Sequence, residues 1–281
     1  MTYRSLRQLL ETVLQLSDLS TWVQRSGGLP YSDSAMNSNQ DRDSPRLYLC
    51  RQRPNSIFPI EYACSFFLPI AHDLRLKGYK IVSNLNMLPN RECYCAEFSP
   101  ILENLHIDID ATGYFYLRLT PAAIELWFKL YQQLTPPPSW SVPLAPSTLY
   151  ALNSKSIPSA ATLKLSPVAF LQYIYTRCNH LSILFSEPPK SELIPSPLPL
   201  QKLDSPLVWT HIGLQDALAD DNIDIQQKFH YGYHFGESFY EWDKNISTLE
   251  SSPKKNLPTI ALKTLKELLL NHLSQKVPTS L

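Results

Sequence analysis

The chain has 281 residues, 44% of them apolar, and carries 25 basic and 25 acidic side chains. That balance excludes a global positive field that would gather nucleic acid or an anionic membrane surface, so any such contact must be a local patch. At roughly 150 residues per domain, the length predicts two domains.

Leu6, Leu9, Leu10, Val13 and Leu14 fall at helical spacing. They predict an amphipathic helix from near Tyr3 that ends before Gly27-Gly28. Polar residues from Ser32 to Ser44 read as a connection. Nearby, Arg42, Arg46, Arg51 and Arg53 are diluted by Asp41 and Asp43, a solvated loop in one reading and a phosphate contact in the other. "SIFPIEYACSFF" and "LPIAHDLRLKG" read as two helical pieces, with Pro59 and Pro69 where a first turn tolerates proline.

The period then changes. Leu105, Ile107 and Ile109 alternate with His106, Asp108 and Asp110, and Phe115, Leu117 and Leu119 alternate with Tyr114, Tyr116 and Arg118. Two strands joined by a tight turn at Asp110 to Gly113 account for this, with one face buried and one wet. "PAAIELWFKLYQQL" returns to helix. "TPPPSWSVPLAPS" is too rich in proline for helix or inner strand and reads as a stiff connector. A second proline-rich segment, "SEPPKSELIPSPLPLQKLDSP", follows the apolar helix "FLQYIYTRCNHLSILF". Beyond it, "GLQDALADDNIDIQQKFHYGYHFGESFYEW" and "NLPTIALKTLKELLLNHLSQ" read as helical. Ile260, Leu262, Leu265, Leu268, Leu269 and Leu273 form an apolar face in the last of these. The fold class predicted is an α+β N-terminal domain followed by an all-α bundle.

Cys50, Cys64, Cys93, Cys95 and Cys178 are odd in number and lack paired CxxC spacing, which speaks for reduced thiols rather than a disulfide framework or a zinc ribbon. The N-terminus lacks the apolar core of a signal peptide, and there is no apolar run of membrane-spanning length. A soluble, cytoplasmic protein without membrane contact is expected. None of the seven glycines falls in a phosphate-cradling motif. "HIG" at His211 to Gly213 resembles the start of the nucleotide-binding signature of class I synthetases, but Leu214 stands in place of the second histidine and the likeness reads as coincidence. His230 and His234 share a helix face upstream of Glu237, Glu241 and Asp243, yet they read as the edge of an aromatic packing face, so no metal is expected. Asp220 and Asp221 are adjacent and would diverge on a helix. No catalytic set emerges from spacing. Tyr173, Tyr175, Tyr231, Tyr233, Tyr240 and Trp242 suit either packing or stacking on unpaired bases, the latter worth about 1–3 kcal/mol per base.

Gln172, Tyr173, Ile174, Tyr175, Thr176 and Arg177 resemble the Gln-Tyr-Ala-x-Ala-Arg helix of the DALR-type anticodon-binding domain of arginyl-tRNA synthetases, with both alanines replaced. Phe239-Tyr240 resembles the end of that domain's FNxFY element, with Gly236 and Glu237 in place of its first Phe and its Asn. The terminal "VPTSL" resembles the family's proline followed by a terminal methionine that lines the anticodon pocket, and Leu281 would fill that space. "ATGYFYLRL" resembles the strand "GPGFINLRL" of the same family's N-terminal domain, which meets the tRNA elbow. Gly113, Leu117, Arg118 and Leu119 agree, Tyr114 replaces Phe, and Tyr116 stands at the Asn that contacts RNA there.

The resemblance spans residues 55–127 and 165–281. Only about 40 residues separate the two parts, and each βαβ unit of a parallel-sheet catalytic domain needs ~30. The organisation expected is an N-terminal helix and polar connection over 1–45, an elbow-type α+β domain over 46–134, a Pro/Ser-rich linker over 135–164 and an anticodon-binding-like bundle over 165–281. The resemblance implies a non-catalytic tRNA-binding protein with no cofactor, arginine tRNA being the species implied. Tyr114, Tyr116, Arg118, Tyr173, Arg177, Tyr240 and Leu281 are the residues implied at its RNA contacts. A protein-interaction or scaffolding module that keeps the fold without RNA is the alternative.

Overall fold

The computed structural model describes residues 5–16, 23–25, 46–51, 57–65, 79–81, 98–109, 114–134, 163–185, 205–246 and 256–272. The chain divides into two compact units, one formed by Leu6–Leu130 and the other by Tyr131–Leu281 with the first five residues.

The first unit is mixed. Helix α1 (Leu6–Leu16) buries Leu6, Leu9, Leu10, Val13 and Leu14, the stripe its sequence spacing predicts. The expected continuation of this helix toward Gly27 is corrected by strand β1 (Val23–Arg25). Its partner is β4 (Tyr79–Ile81), in antiparallel register from Val23 opposite Ile81 to Arg25 opposite Tyr79. Strand hydrogen bonds to a segment over 50 positions away thus decide a conformation that local propensity leaves open.

The main sheet has the order β2-β3-β6-β5 and is antiparallel throughout. Its strands are β2 (Tyr48–Leu49), β3 (Ile60–Cys64), β5 (Leu105–Ile109) and β6 (Phe115–Leu119). The pair β5 and β6 is the one its alternation predicts, with Ile107 opposite Leu117. Strand β3 corrects the helical reading of "SIFPIEYACSFF". Ile60, Tyr62 and Cys64 are buried while Glu61 and Ala63 are less so, a period of two that only a strand produces. The helical reading of 68–78 and the turn at 110–113 lie outside the described residues. The short helix α2 (Ser99–Glu103) leads into β5, and the backbone N–H of Leu47 donates to Glu11 Oε1 at 2.8 Å, tying α1 to the approach to β2.

After β6, Thr120 caps helix α3 (Pro121–Gln133). Its hydroxyl accepts from the N–H of Ala123 at 3.2 Å, and Pro121 takes the first position, where no N–H is needed. The fully buried Trp127 anchors this helix.

In the second unit the described residues form helices only. Ser166 caps α4 (Pro167–Phe185) by accepting from Ala169 N–H at 3.3 Å. Helix α5 (Ser205–Ala219) is buried from Leu207 to Ala219 except at Trp209, which makes it the central helix of this bundle. Its continuation into the next helix is corrected by a turn. Asp220 Oδ1 accepts from Asn222 N–H at 2.9 Å, and Asp224 then caps α6 (Ile225–Ile246) by accepting from Gln227 N–H at 2.8 Å. Asp220 and Asp221 therefore lie in a connection, not on a helix face. Helix α7 (Asn256–Glu267) runs into a π-helical turn, Leu268–His272, with Ile260, Leu265, Leu268 and Leu269 buried and Leu262 partly exposed. Leu273 lies outside the described residues.

Two glycines fix how closely α6 is approached. A Cβ on Gly232 would lie 2.2 Å from Leu268 Cδ2, and one on Gly236 would lie 3.0 Å from Phe170 Cε1 and 3.3 Å from Leu171 Cδ2. Each glycine therefore gives its space to a fully buried side chain of the π-helical turn or of α4.

Candidate functional site

On the solvent side of the main sheet, strand register places Glu61, Arg118 and His106 in one row and Ala63, Tyr116 and Asp108 in the next. Arg118 is the centre of this face. Its Nε donates to Glu61 Oε2 at 2.5 Å and its Nη1 to Asp108 Oδ2 at 3.0 Å. The guanidinium carbon lies 5.9 Å from the Phe58 ring centre and 5.7 Å from that of Tyr116. The hydrogen bond to Glu61 is the main reason its pKa is raised, against the opposing effect of burial. Phe58 stacks on His106 at 5.4 Å, and Tyr114, which is exposed, tilts against Tyr116 at 6.3 Å. The outcome is an aromatic face on which Arg118 already answers two carboxylates, so its charge is compensated within the sheet.

In the helical unit the same combination recurs. Arg177 on α4 forms a two-pronged pair with Asp243 on α6, Nε to Oδ2 at 2.7 Å and Nη2 to Oδ1 at 3.1 Å. Asp243 is well buried, with its side chain 11% exposed against 34% for Arg177. The hydrogen bond to Asp243 raises the pKa of Arg177. One turn away, Tyr173 meets Tyr240 edge to face at 6.5 Å, and Phe170 meets Tyr240 at 6.3 Å. Lys244 Nζ sits 4.1 Å from the Tyr240 ring centre while pairing with Glu241 at 2.8 Å. Burial, then the nearby Asp243 charge, raises the Tyr173 pKa, so its hydroxyl stays protonated and able to donate.

The structure thus brings Tyr114, Tyr116 and Arg118 together on the sheet, and Tyr173, Arg177 and Tyr240 together on the bundle. Leu281 lies outside the described residues. Sequence reasoning missed the partners Glu61, Asp108 and Asp243. Asp108 was detectable, because it lies on the strand paired with that of Arg118. Tyr175, Tyr233 and Trp242 are buried packing residues, whereas Tyr231 is exposed. Arg46 and Arg51 are exposed on either side of β2, and Arg42 and Arg53 lie outside the described residues.

His211, Ile212 and Gly213 lie buried within helix α5, whereas a nucleotide-binding signature requires them at the end of a strand. His211 Nε2 is 2.8 Å from Thr264 Oγ1 and 3.5 Å from Gln215 Nε2, so the imidazole is held within the bundle by polar side chains of α5 and α7. Among the described residues, no group of three or more His, Cys, Asp or Glu is placed to hold a metal, and no helix is long and apolar enough to cross a membrane. Also among the described residues, Cys50, Cys64 and Cys178 form no disulfide. Comparison with protein-family models, with curated proteins and with solved structures yields no match.

Proposed function

We propose that this chain is a non-catalytic tRNA-binding protein, related in plan to the anticodon-binding and elbow-binding parts of arginyl-tRNA synthetases, that holds unpaired bases on tyrosine faces. The observation that carries this reading is the repeated site: each unit presents a tyrosine pair beside an arginine whose plane is fixed by carboxylates. Fixed aromatic faces stack on bases at little entropic cost. Both arginines spend their charge within the protein, so they act as positioning groups and contribute little to phosphate binding.

An exchange of bulk supports the resemblance on which the reading rests. Ile174 is larger than the alanine of the synthetase pattern, and Gly236 is smaller than its phenylalanine. Ile174 Cγ1 lies 3.6 Å from where a Cβ of Gly236 would be, so the two departures compensate each other across the α4–α6 contact.

The test is capture of total tRNA by the purified chain at low salt, with the retained species sequenced. Enrichment of arginine tRNAs, lost in Tyr173→Ala and Tyr240→Ala, supports the reading. Absence of any shifted tRNA sinks it. A second reading, a protein-interaction module, is favoured by Ile183 and Leu184, which are 63% and 54% exposed near the end of α4. Recovery of a stable protein partner without RNA, abolished by Ile183→Ser with Leu184→Ser, would select it.

A further inference from the structure

Helix α6 carries His230 and His234 four positions apart, and both are exposed. Their Nε2 atoms are 3.0 Å apart, and their rings stand at 82° with centroids 4.2 Å apart. In the neutral pair one Nε2–H donates to the other nitrogen. The same separation fits a different occupant. Two imidazole nitrogens each ~2.1 Å from one ion and at a right angle to each other lie about 3.0 Å apart, and about 3.4 Å at the tetrahedral angle.

We infer that His230 and His234 form a two-nitrogen chelate for a borderline divalent cation of the Zn2+ or Ni2+ class. Residues four apart on a helix sit on one side, within reach of a common ligand. The backbone beneath them is held by Phe229, Tyr233 and Phe235, all buried, and the Tyr233 ring stands edge-on to His234 at 6.0 Å. The chelate keeps the present separation of the two nitrogens, and the rings turn to aim both at one ion. Each imidazole places its proton on Nδ1, the hydrogen bond between the Nε2 atoms is given up, and two metal–nitrogen bonds form with no net loss of protons from a neutral pair. The remaining coordination positions fall to water. Nitrogen donors select against Mg2+ and Ca2+, which take oxygen ligands.

The experiment is calorimetric titration of the tag-free full chain with NiCl2, ZnCl2 and MgCl2, with circular dichroism of every variant to establish that it is folded. One Ni2+ or Zn2+ per chain is expected, with no heat from Mg2+. Each of His230→Gln and His234→Gln should weaken the ion by about tenfold or more, because a single nitrogen loses the effective concentration of the second. His180→Gln, which alters an exposed histidine on α4, should leave binding unchanged. Wild-type affinity in either folded single variant, or equal weakening by His180→Gln, would overturn the assignment.

Discussion

The pair formed by Arg177 and Asp243 joins α4 to α6, and its strength can be measured apart from any ligand. Arg177→Met keeps the apolar stem but removes two charge-assisted hydrogen bonds at 2.7 and 3.1 Å, leaving a carboxylate whose side chain is 11% exposed. Hydrogen bonds to charged groups contribute about 1.5–3 kcal/mol each, and the partial exposure of Arg177 discounts that value, so a loss of about 2–3 kcal/mol is expected. At an m-value of roughly 2 kcal/mol/M the urea midpoint would fall by about 1 M. Asp243→Asn should cost about 1–2 kcal/mol, and the double variant little more than Arg177→Met, giving a coupling of about 1–2 kcal/mol that persists in high salt. The exposed pair of Lys244 and Glu241, at 48% and 61% side-chain exposure, is the internal control, in which the two substitutions should be additive and added salt should remove any residual coupling. Additivity of the Arg177 and Asp243 variants within about 0.5 kcal/mol would show that the pair does not couple α4 to α6.

Gly232→Val should destabilise by about 1–3 kcal/mol, because Leu268 Cδ2 already occupies the space a Cβ would need. Gly236→Ala should stay within about 1 kcal/mol, since gained helix propensity offsets the tighter contact with Phe170. Equal urea midpoints for wild type and Gly232→Val would contradict this packing. Burial lowers the His211 pKa to about 3, so the unfolded chain binds a proton in the window from about pH 6.5 down to 3 that the folded chain does not. Stability from this group is therefore present above about pH 6.5 and falls on acidification at up to ~1.4 kcal/mol per pH unit. The difference in urea stability between pH 7 and pH 5 should shrink in His211→Gln; an unchanged difference would remove His211 as its source.

The hairpin of β5 and β6 was legible because Ile107 and Leu117 mark a strict alternation on both sides of a glycine. Strand β3 was not, since Pro59 imitates a helix start and a short apolar run fits either period until a partner is known. That partner, β6, lies over 50 positions further along the chain, and without it Glu61 could not be placed beside Arg118. The tyrosines and arginines of both sites were visible as residue types. Their neutralisation was hidden, because Asp243 is 66 positions from Arg177 and only the packing of α4 on α6 unites them. The Asp-Asp-Asn turn before α6 carried a local signal in its side-chain chemistry that apolar content on both sides obscured.

In the proposed function, base stacking on tyrosines, rather than phosphate pairing by arginines, holds tRNA. The most direct measurement is the affinity of the full chain for tRNA across a salt series. Stacking on tyrosines predicts binding at low salt with a log–log slope shallower than about −2, and a loss of about 5- to 150-fold for Tyr173→Ala or Tyr240→Ala, matching ~1–3 kcal/mol per base. A slope near −6 that neither tyrosine substitution alters, or no binding at low salt, would contradict it.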